Sequence, residues 1–165
     1  MKVRDLFEAK EKSLVGMVID GTEVTVNGKP RATWSGYFSC SLNNLTSLEG
    51  APSKVNGNFS CHNNKLTSLE GAPSKVNGSF FCTGNNIKSI SGIHKIIKEI
   101  HEEFWCDDVT HVLGLCLIKG ITRVYHDNKK VQSILNKHVG PGTRDAMVDC
   151  HEELVEAGLE EYAQL

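Results

Sequence analysis

Cysteine, histidine and aromatic residues are the parts of this chain that could do chemistry, and their spacing decides what kind. Cys40, Cys61 and Cys82 recur every 21 residues, and Cys106 follows 24 later. A metal centre or a disulfide framework would need a Cys-x-x-Cys pair or comparable ligand spacing, and none occurs. Each of these cysteines instead stands two residues after a phenylalanine: Phe38, Phe59, Phe80 or Phe104. Side chains two apart on a strand share a face, so a cysteine in that column reads as a small buried hydrophobe. Cys116 and Cys150, set in apolar stretches, read the same way. His101 adjoins Glu102 and His151 adjoins Cys150, but neighbours in sequence do not make a catalytic pair. There is no nucleophile elbow and no His-Glu-x-x-His helix, and the Gly-x-Gly of Gly140 and Gly142 follows no strand. The residues therefore predict a protein that is not an enzyme and holds no metal or cofactor, with a Cys/His metal-binding or enzymatic protein as an alternative.

What positions these residues is an internal duplication. The thirteen residues LTSLEGAPSKVNG run from Leu45 to Gly57 and again from Leu66 to Gly78. On the same 21-residue period Asn43, Asn64 and Asn85 form one column, Leu45, Leu66 and Ile87 the next, and Leu48, Leu69 and Ile90 another. Gly50, Gly71 and Gly92 mark a turn, and Val55, Val76 and Ile97 lead into the following unit. Phe and Cys point into the stack, Asn turns the chain off the strand, and no unit can bury its apolar edge alone. Ile100, Phe104 and Cys106 recover the pattern after a longer, helical return segment, although Val109 stands where asparagine is expected. Ile121, Val124 and His126 fit a fifth, weaker unit. About five parallel strands at ~4.8 Å spacing are expected, a ribbon about 20 Å wide.

If Phe and Cys point in, their neighbours point out. The middle outward column runs Ser39, Ser60, Phe81, Trp105, Tyr125. The column before it runs Tyr37, Asn58, Ser79, Glu103, Arg123, and the one after it Ser41, His62, Thr83, Asp107, Asp127. Three consecutive aromatics side by side on an outward face, with charged neighbours, have the composition of an interface hot spot. The candidate partner-binding residues are Phe81, Trp105, Tyr125, Glu103, Asp107, Arg123 and His62. Cross-strand aromatic pairs also stabilise sheets, so the stripe has a purely structural reading too.

The flanks read as caps. Val3, Leu6 and Phe7 share one side of a short helix, and Asp20-Gly21 places a β-hairpin over about 14–28. Past Asp127, Val131, Ile134, Leu135 and Val139 recur at helical spacing up to the Gly140-Pro141-Gly142 break. A second helix over about 144–157 turns Met147, Leu154 and Val155 to the core, with Gly158 as its stop. One domain is expected: an N-terminal cap over 1–35, repeats over 36–127 and a helical cap over 128–165.

Written out, the unit V-x-x-x-F-x-C-x-x-N-x-L-x-x-L resembles the leucine-rich-repeat family, in the short form of its bacterial members. That resemblance implies an α/β repeat fold, a leucine-rich-repeat solenoid whose asparagine amides ladder from turn to turn. From the first repeat to the closing EEYAQL the chain is also similar to small repeat proteins of tailed bacteriophages. The shared text is the LTSLEGAP unit, the LIKG and DNKKV segments and the acidic C-terminal helix. This implies a phage origin and action in the host cytoplasm, and it supplies no catalytic residues.

Charge narrows the partner. The 165 residues carry a net charge of −2, yet residues 1–98 hold 12 Lys/Arg against 7 Asp/Glu and residues 99–165 hold 6 against 13. The acids around the aromatics (Glu103, Asp107, Asp108, Asp127) disfavour a phosphate backbone and favour a protein with a basic or mixed surface. No apolar run reaches the roughly 18 residues of a membrane span, and the charged start lacks a secretion signal, which predicts a cytoplasmic protein with reduced thiols. The expected function is a non-enzymatic protein–protein interaction module binding a host protein such as a defence factor through the outward face of the sheet, with inhibition of that protein as one purpose its origin would suggest. A self-associating homo-oligomer is the other alternative.

Overall fold

The computed structural model describes residues 12–165, so the helix expected from Val3, Leu6 and Phe7 lies outside the described residues. The stretch expected as one hairpin forms two. β1 (Val18–Ile19) and β2 (Thr22–Glu23) pair antiparallel across Asp20-Gly21, and β3 (Thr25–Val26) and β4 (Lys29–Pro30) pair across Asn27-Gly28. All four turn residues have positive φ, the geometry that Asn-Gly and Asp-Gly adopt at small cost and that matches the strand twist.

From here the chain is α/β, with parallel strands in two sheets. The larger sheet orders β6 (Phe38–Ser39), β8 (Phe59–Ser60), β10 (Phe80–Phe81), β12 (Glu103–Trp105) and β13 (Arg123–Tyr125). The second orders β5 (Thr33–Trp34), β7 (Lys54–Val55), β9 (Lys75–Val76) and β11 (Glu99–Ile100). Each of the first four units thus gives one short strand to each sheet, and the fifth gives β13 to the larger sheet alone. Sequence reasoning treated the valine column as a lead-in and missed the second sheet, because two-residue strands carry no alternation to read.

The five-strand register matches the expected columns: Phe38, Phe59, Phe80, Phe104 and Val124 are mutual neighbours across the sheet. All five are fully buried. The four phenylalanine rings run as a continuous file, with centroids 5.4, 4.9 and 5.5 Å apart, and Trp34 closes one end edge-on at 5.0 Å. Burying a ring of this size removes enough apolar surface to stabilise by about 2–3 kcal/mol, and no single unit offers a second wall against which to do it.

The asparagine column has the polar counterpart of that file. Asn64 Oδ1 accepts from the Asn43 and Leu45 N–H groups (3.0 and 2.9 Å), while its Nδ2 donates to the Cys40 and Cys61 carbonyls. Asn85 repeats this one unit on, accepting from Leu66 N–H and donating to the Cys61 and Cys82 carbonyls. Buried backbone groups that face no strand are satisfied in this way.

The return segment before the fourth unit, longer by three residues, contains α1 (Ile93–Ile96), a single turn. In consequence Ile100, and not Ile97, pairs with Val76; Ile97 closes α1 and is buried there. A 3-10 turn over Val112–Leu117, whose residues are mostly buried, leads into and takes up most of the LGLCLIKG segment. α2 (Lys129–His138) and α3 (Arg144–Glu156) follow, capped by the side chains of Asn128 and Thr143. Val131, Ile134, Leu135 and Leu154 are buried as expected, but Val155 is 40% exposed and Cys150 takes its place toward the core. The expected pattern was off by a helical position because Val155 lies one residue past the Cys150–Leu154 stripe.

Candidate interaction face

The outward residues of the larger sheet divide into two unlike halves. On β6 and β8 they are small and polar, and they satisfy one another. Ser41 Oγ lies 2.8 Å from Ser60 Oγ, and His62 Nδ1 lies 2.9 Å from Ser41 Oγ and 2.6 Å from Ser60 Oγ. Ser60 is buried, and Asn58 Oδ1 accepts from Ser79 N–H. His62 follows β8, the strand next to the one that carries Phe81, and belongs to this serine cluster, where its Nδ1 is already engaged.

On β10, β12 and β13 the outward residues are Phe81, Trp105 and Tyr125, all half-buried and in cross-strand register. Phe81 and Trp105 have centroids 5.9 Å apart at a 40° tilt, and Trp105 stacks on Tyr125 at 3.7 Å and 17°. The flanking column fixes the rings. Glu103 accepts from Trp105 Nε1 at 2.9 Å and from the Tyr125 hydroxyl at 3.4 Å, so one carboxylate holds two rings. Arg123 Nη1 donates to the Tyr125 hydroxyl at 3.3 Å, and its guanidinium carbon lies 5.9 Å from that ring's centroid. Such pairs contribute about 0.5–1.5 kcal/mol beyond their buried area.

Asp107 has a different place from the one expected. Both of its oxygens accept from Gly84 N–H and one also from Asn85 N–H, so it stands in for the missing asparagine on the neighbouring turn. The sequence signal was available: the column loses Asn at Val109, and an acceptor must come from somewhere.

Residues that sequence reasoning missed border this face. Asn136 on α2 accepts from Val124 N–H and donates to Val124 C=O, imitating a further strand, and Gln132 accepts from His126 N–H. The free edge of β13 is sealed by side-chain amides, which protects it from pairing with another chain. Between α2 and the Tyr125–Arg123 pair lies an open polar groove of about 400 Å³, lined also by Lys129, Gln132 and Ser133. His126 is buried, its Nδ1 accepting from Asn128 N–H and its Nε2 3.0 Å from Val109 O. The chain end ties this region down: the Tyr162 hydroxyl donates to Asp108, His111 Nε2 lies 3.0 Å from Gln164 Oε1, and Ser91 Oγ donates to the Leu165 carbonyl.

All six cysteines are free and buried. Burial pushes the Cys40 thiol up to about 12 and holds Cys61, Cys82 and Cys106 well above the ordinary thiol range. Their S–H groups reach the carbonyl of the next strand, as Cys82 does to Trp105 O at 3.1 Å. Such thiols stay protonated near neutrality, and protonated thiols are neither nucleophiles nor metal ligands. Among the described residues no three His, Cys, Asp or Glu side chains are placed to hold a metal, and no helix is long and apolar enough to cross a membrane.

Comparison with family models, curated proteins and solved structures returns no match to this chain. The geometry of the face must carry the functional reading by itself.

Proposed function

We propose that this chain is a short leucine-rich-repeat solenoid acting as a non-enzymatic protein–protein interaction module through Phe81, Trp105 and Tyr125. The 21-residue columns, their parallel register and the Asn43–Asn64–Asn85 ladder support the repeat reading. One observation carries the functional reading: three aromatic rings stand half-exposed in register, held by Glu103 and Arg123, in an outward column that elsewhere holds only Ser39 and Ser60. Large, rigid, amphipathic side chains of this kind contribute contact area at low entropic cost, which is why they dominate hot spots. The likeness to tailed-phage repeat proteins directs the search to a host protein, a defence factor among them, in the cytoplasm of an infected cell.

The test is affinity purification from infected cells with the native chain and with Trp105→Ala, beside thermal denaturation of both. Loss of the captured protein from a variant that melts normally supports the reading. Equal capture by both removes the stripe from the interface.

A second reading, self-association, is favoured by a separate observation. β6 pairs only with β8, so among the described residues its outer edge has no strand partner. The flanking Tyr37 and Leu42 are 53% and 72% exposed. Open edges of this kind recruit other strands. Sedimentation across a concentration series separates the two readings, since a strict monomer retains only the first.

A further inference from the structure

The chemistry of the partner can be narrowed by asking which polar groups on the aromatic face are still unspent. Glu103 is occupied by Trp105 and Tyr125, and Arg123 by the Tyr125 hydroxyl. Ser79 Oγ donates to Glu102, and Asp107 accepts from two backbone N–H groups. Asp127 is exposed, and among the described residues it has neither a hydrogen-bond partner nor a countercharge. It follows Tyr125 by two residues as Asp107 follows Trp105, and those strands are paired, so the two carboxylates stand on adjacent strands beside the rings. Both lie close enough to Cys106 to disfavour its thiolate, as does Asp108.

Like charges on neighbouring strands are destabilising, and among the described residues no cation pairs with either carboxylate. On the other flank of the rings Arg123 is already hydrogen-bonded, and the Lys129 ammonium is turned back onto the His126 carbonyl and Gln132. The face therefore shows an apolar strip with uncompensated negative charge along one side. With Trp105 stacked on Tyr125 and Phe81 tilted against Trp105, the half-exposed strip suits aliphatic contact, while the carboxylates suit a cation.

Resting on the reading of this face as a protein-binding surface, we propose that it takes a protein segment carrying an arginine or lysine next to an aliphatic side chain. The aliphatic group lies across Phe81 and Trp105, and the cation is held by Asp127, with the bonded Asp107 carboxylate adding negative charge beside it. The complementarity that selects this occupant also excludes acidic segments, since a carboxylate there would face two others.

The probes are the hexapeptide Gly-Leu-Arg-Leu-Arg-Gly and its counterpart with glutamate for arginine, titrated calorimetrically into the full chain. The arginine peptide is expected to bind and the glutamate peptide not. Binding should weaken markedly between about 50 and about 500 mM salt, as exposed charges are screened. Asp127→Asn, which breaks no internal bond, should weaken it roughly tenfold, near 1.4 kcal/mol. Equal binding of both peptides, or an Asp127→Asn variant that binds as tightly as the native chain, overturns the charge assignment. If Trp105→Ala loses a captured cellular protein that the arginine peptide cannot displace, this inference fails while the protein-binding reading stands. If Trp105→Ala changes neither capture nor peptide titration, both fail.

Discussion

The β6–β8 half of the larger sheet and the β12–β13 half share an inner column and differ on the outer one. Inside, phenylalanine follows phenylalanine through β12, and a buried thiol follows each ring. Outside, the first half carries serines and a histidine bonded to one another, and the second carries Trp105 and Tyr125 with charged flanks. The backbone columns diverge too. Gly57 and Gly78 let successive turns approach so closely that a Cβ on Gly57 would lie 2.7 Å from the Gly36 carbonyl carbon. In the later units Glu102 and Thr122 take that position, and Thr122 N–H and Oγ1 both donate to Glu102 O. The duplicated half is built for close stacking; the diverged half stacks through its paired strands with added side-chain bonds such as Thr122 Oγ1 to Glu102 O.

The sharpest way to break this contrast is to cut the same residue type from the two columns. Phe59→Ala removes the second ring of the inner file and leaves a closed cavity, so a loss of about 3–5 kcal/mol is expected in chemical denaturation. Phe81→Ala, one column over and half-exposed, should cost about 1 kcal/mol or less, the scale of an aromatic pair. Similar losses for both would mean that the outward rings are structural.

Next in size is the asparagine ladder. Asn64→Ala orphans the Asn43 and Leu45 N–H groups and takes one of two amide donors from each of the Cys40 and Cys61 carbonyls, which keep Asn43 and Asn85. Part of that debt is met by relaxation, and a loss of roughly 2–3 kcal/mol is expected, read by denaturation and by faster amide exchange at Leu45. Gly57→Ala should cost about 1–3 kcal/mol through the backbone clash, whereas Thr122→Ala, which loses one exposed hydroxyl bond, should cost about 0.5–1.5 kcal/mol.

These columns were legible because a repeat prints each structural demand several times. Phe38, Phe59 and Phe80 announce an inward position that any one of them alone would leave open. Position 81 was legible by subtraction, since a residue between two inward ones must face out. Legibility fails where a demand is met once. Asp107 replaces a ladder asparagine from a different position, so its role was read as surface charge. Asn136 and Gln132 seal β13 from a helix twelve and six residues away, and nothing in an amphipathic pattern marks an exposed amide as a strand mimic. The ties from Tyr162, Gln164 and Leu165 to Asp108, His111 and Ser91 span more than fifty residues and follow only from the folded path.

The smallest expected effect concerns pH, and it again separates the halves. The ladder and the inner file of the duplicated units contain no ionised group. Two carboxylates clasp the diverged end: Glu153 of α3 contacts Lys137 and His138 of α2, and Glu99 of β11 contacts His101 and, across to the second duplicated unit, Lys75 of β9. Hydrogen bonds from Lys137 and then His138 hold the Glu153 carboxyl below its ordinary value near 4.5, and Lys75 and then His101 do the same for Glu99. A carboxyl whose folded value is depressed contributes its full stability above the ordinary range and loses it as pH falls through the folded value. Acidification below about 4.5 should therefore raise amide exchange in α2, α3 and β11 before it does so in β6, β8 and β10. Glu153→Gln should remove the α2–α3 part of that pH dependence at a cost of about 0–1 kcal/mol at neutral pH, because the pair is solvent-screened. Uniform exchange across both halves on acidification would show that the clasp and the ladder unfold as one unit, and the division of the stack into a scaffold half and a working half would then describe its surface and not its stability.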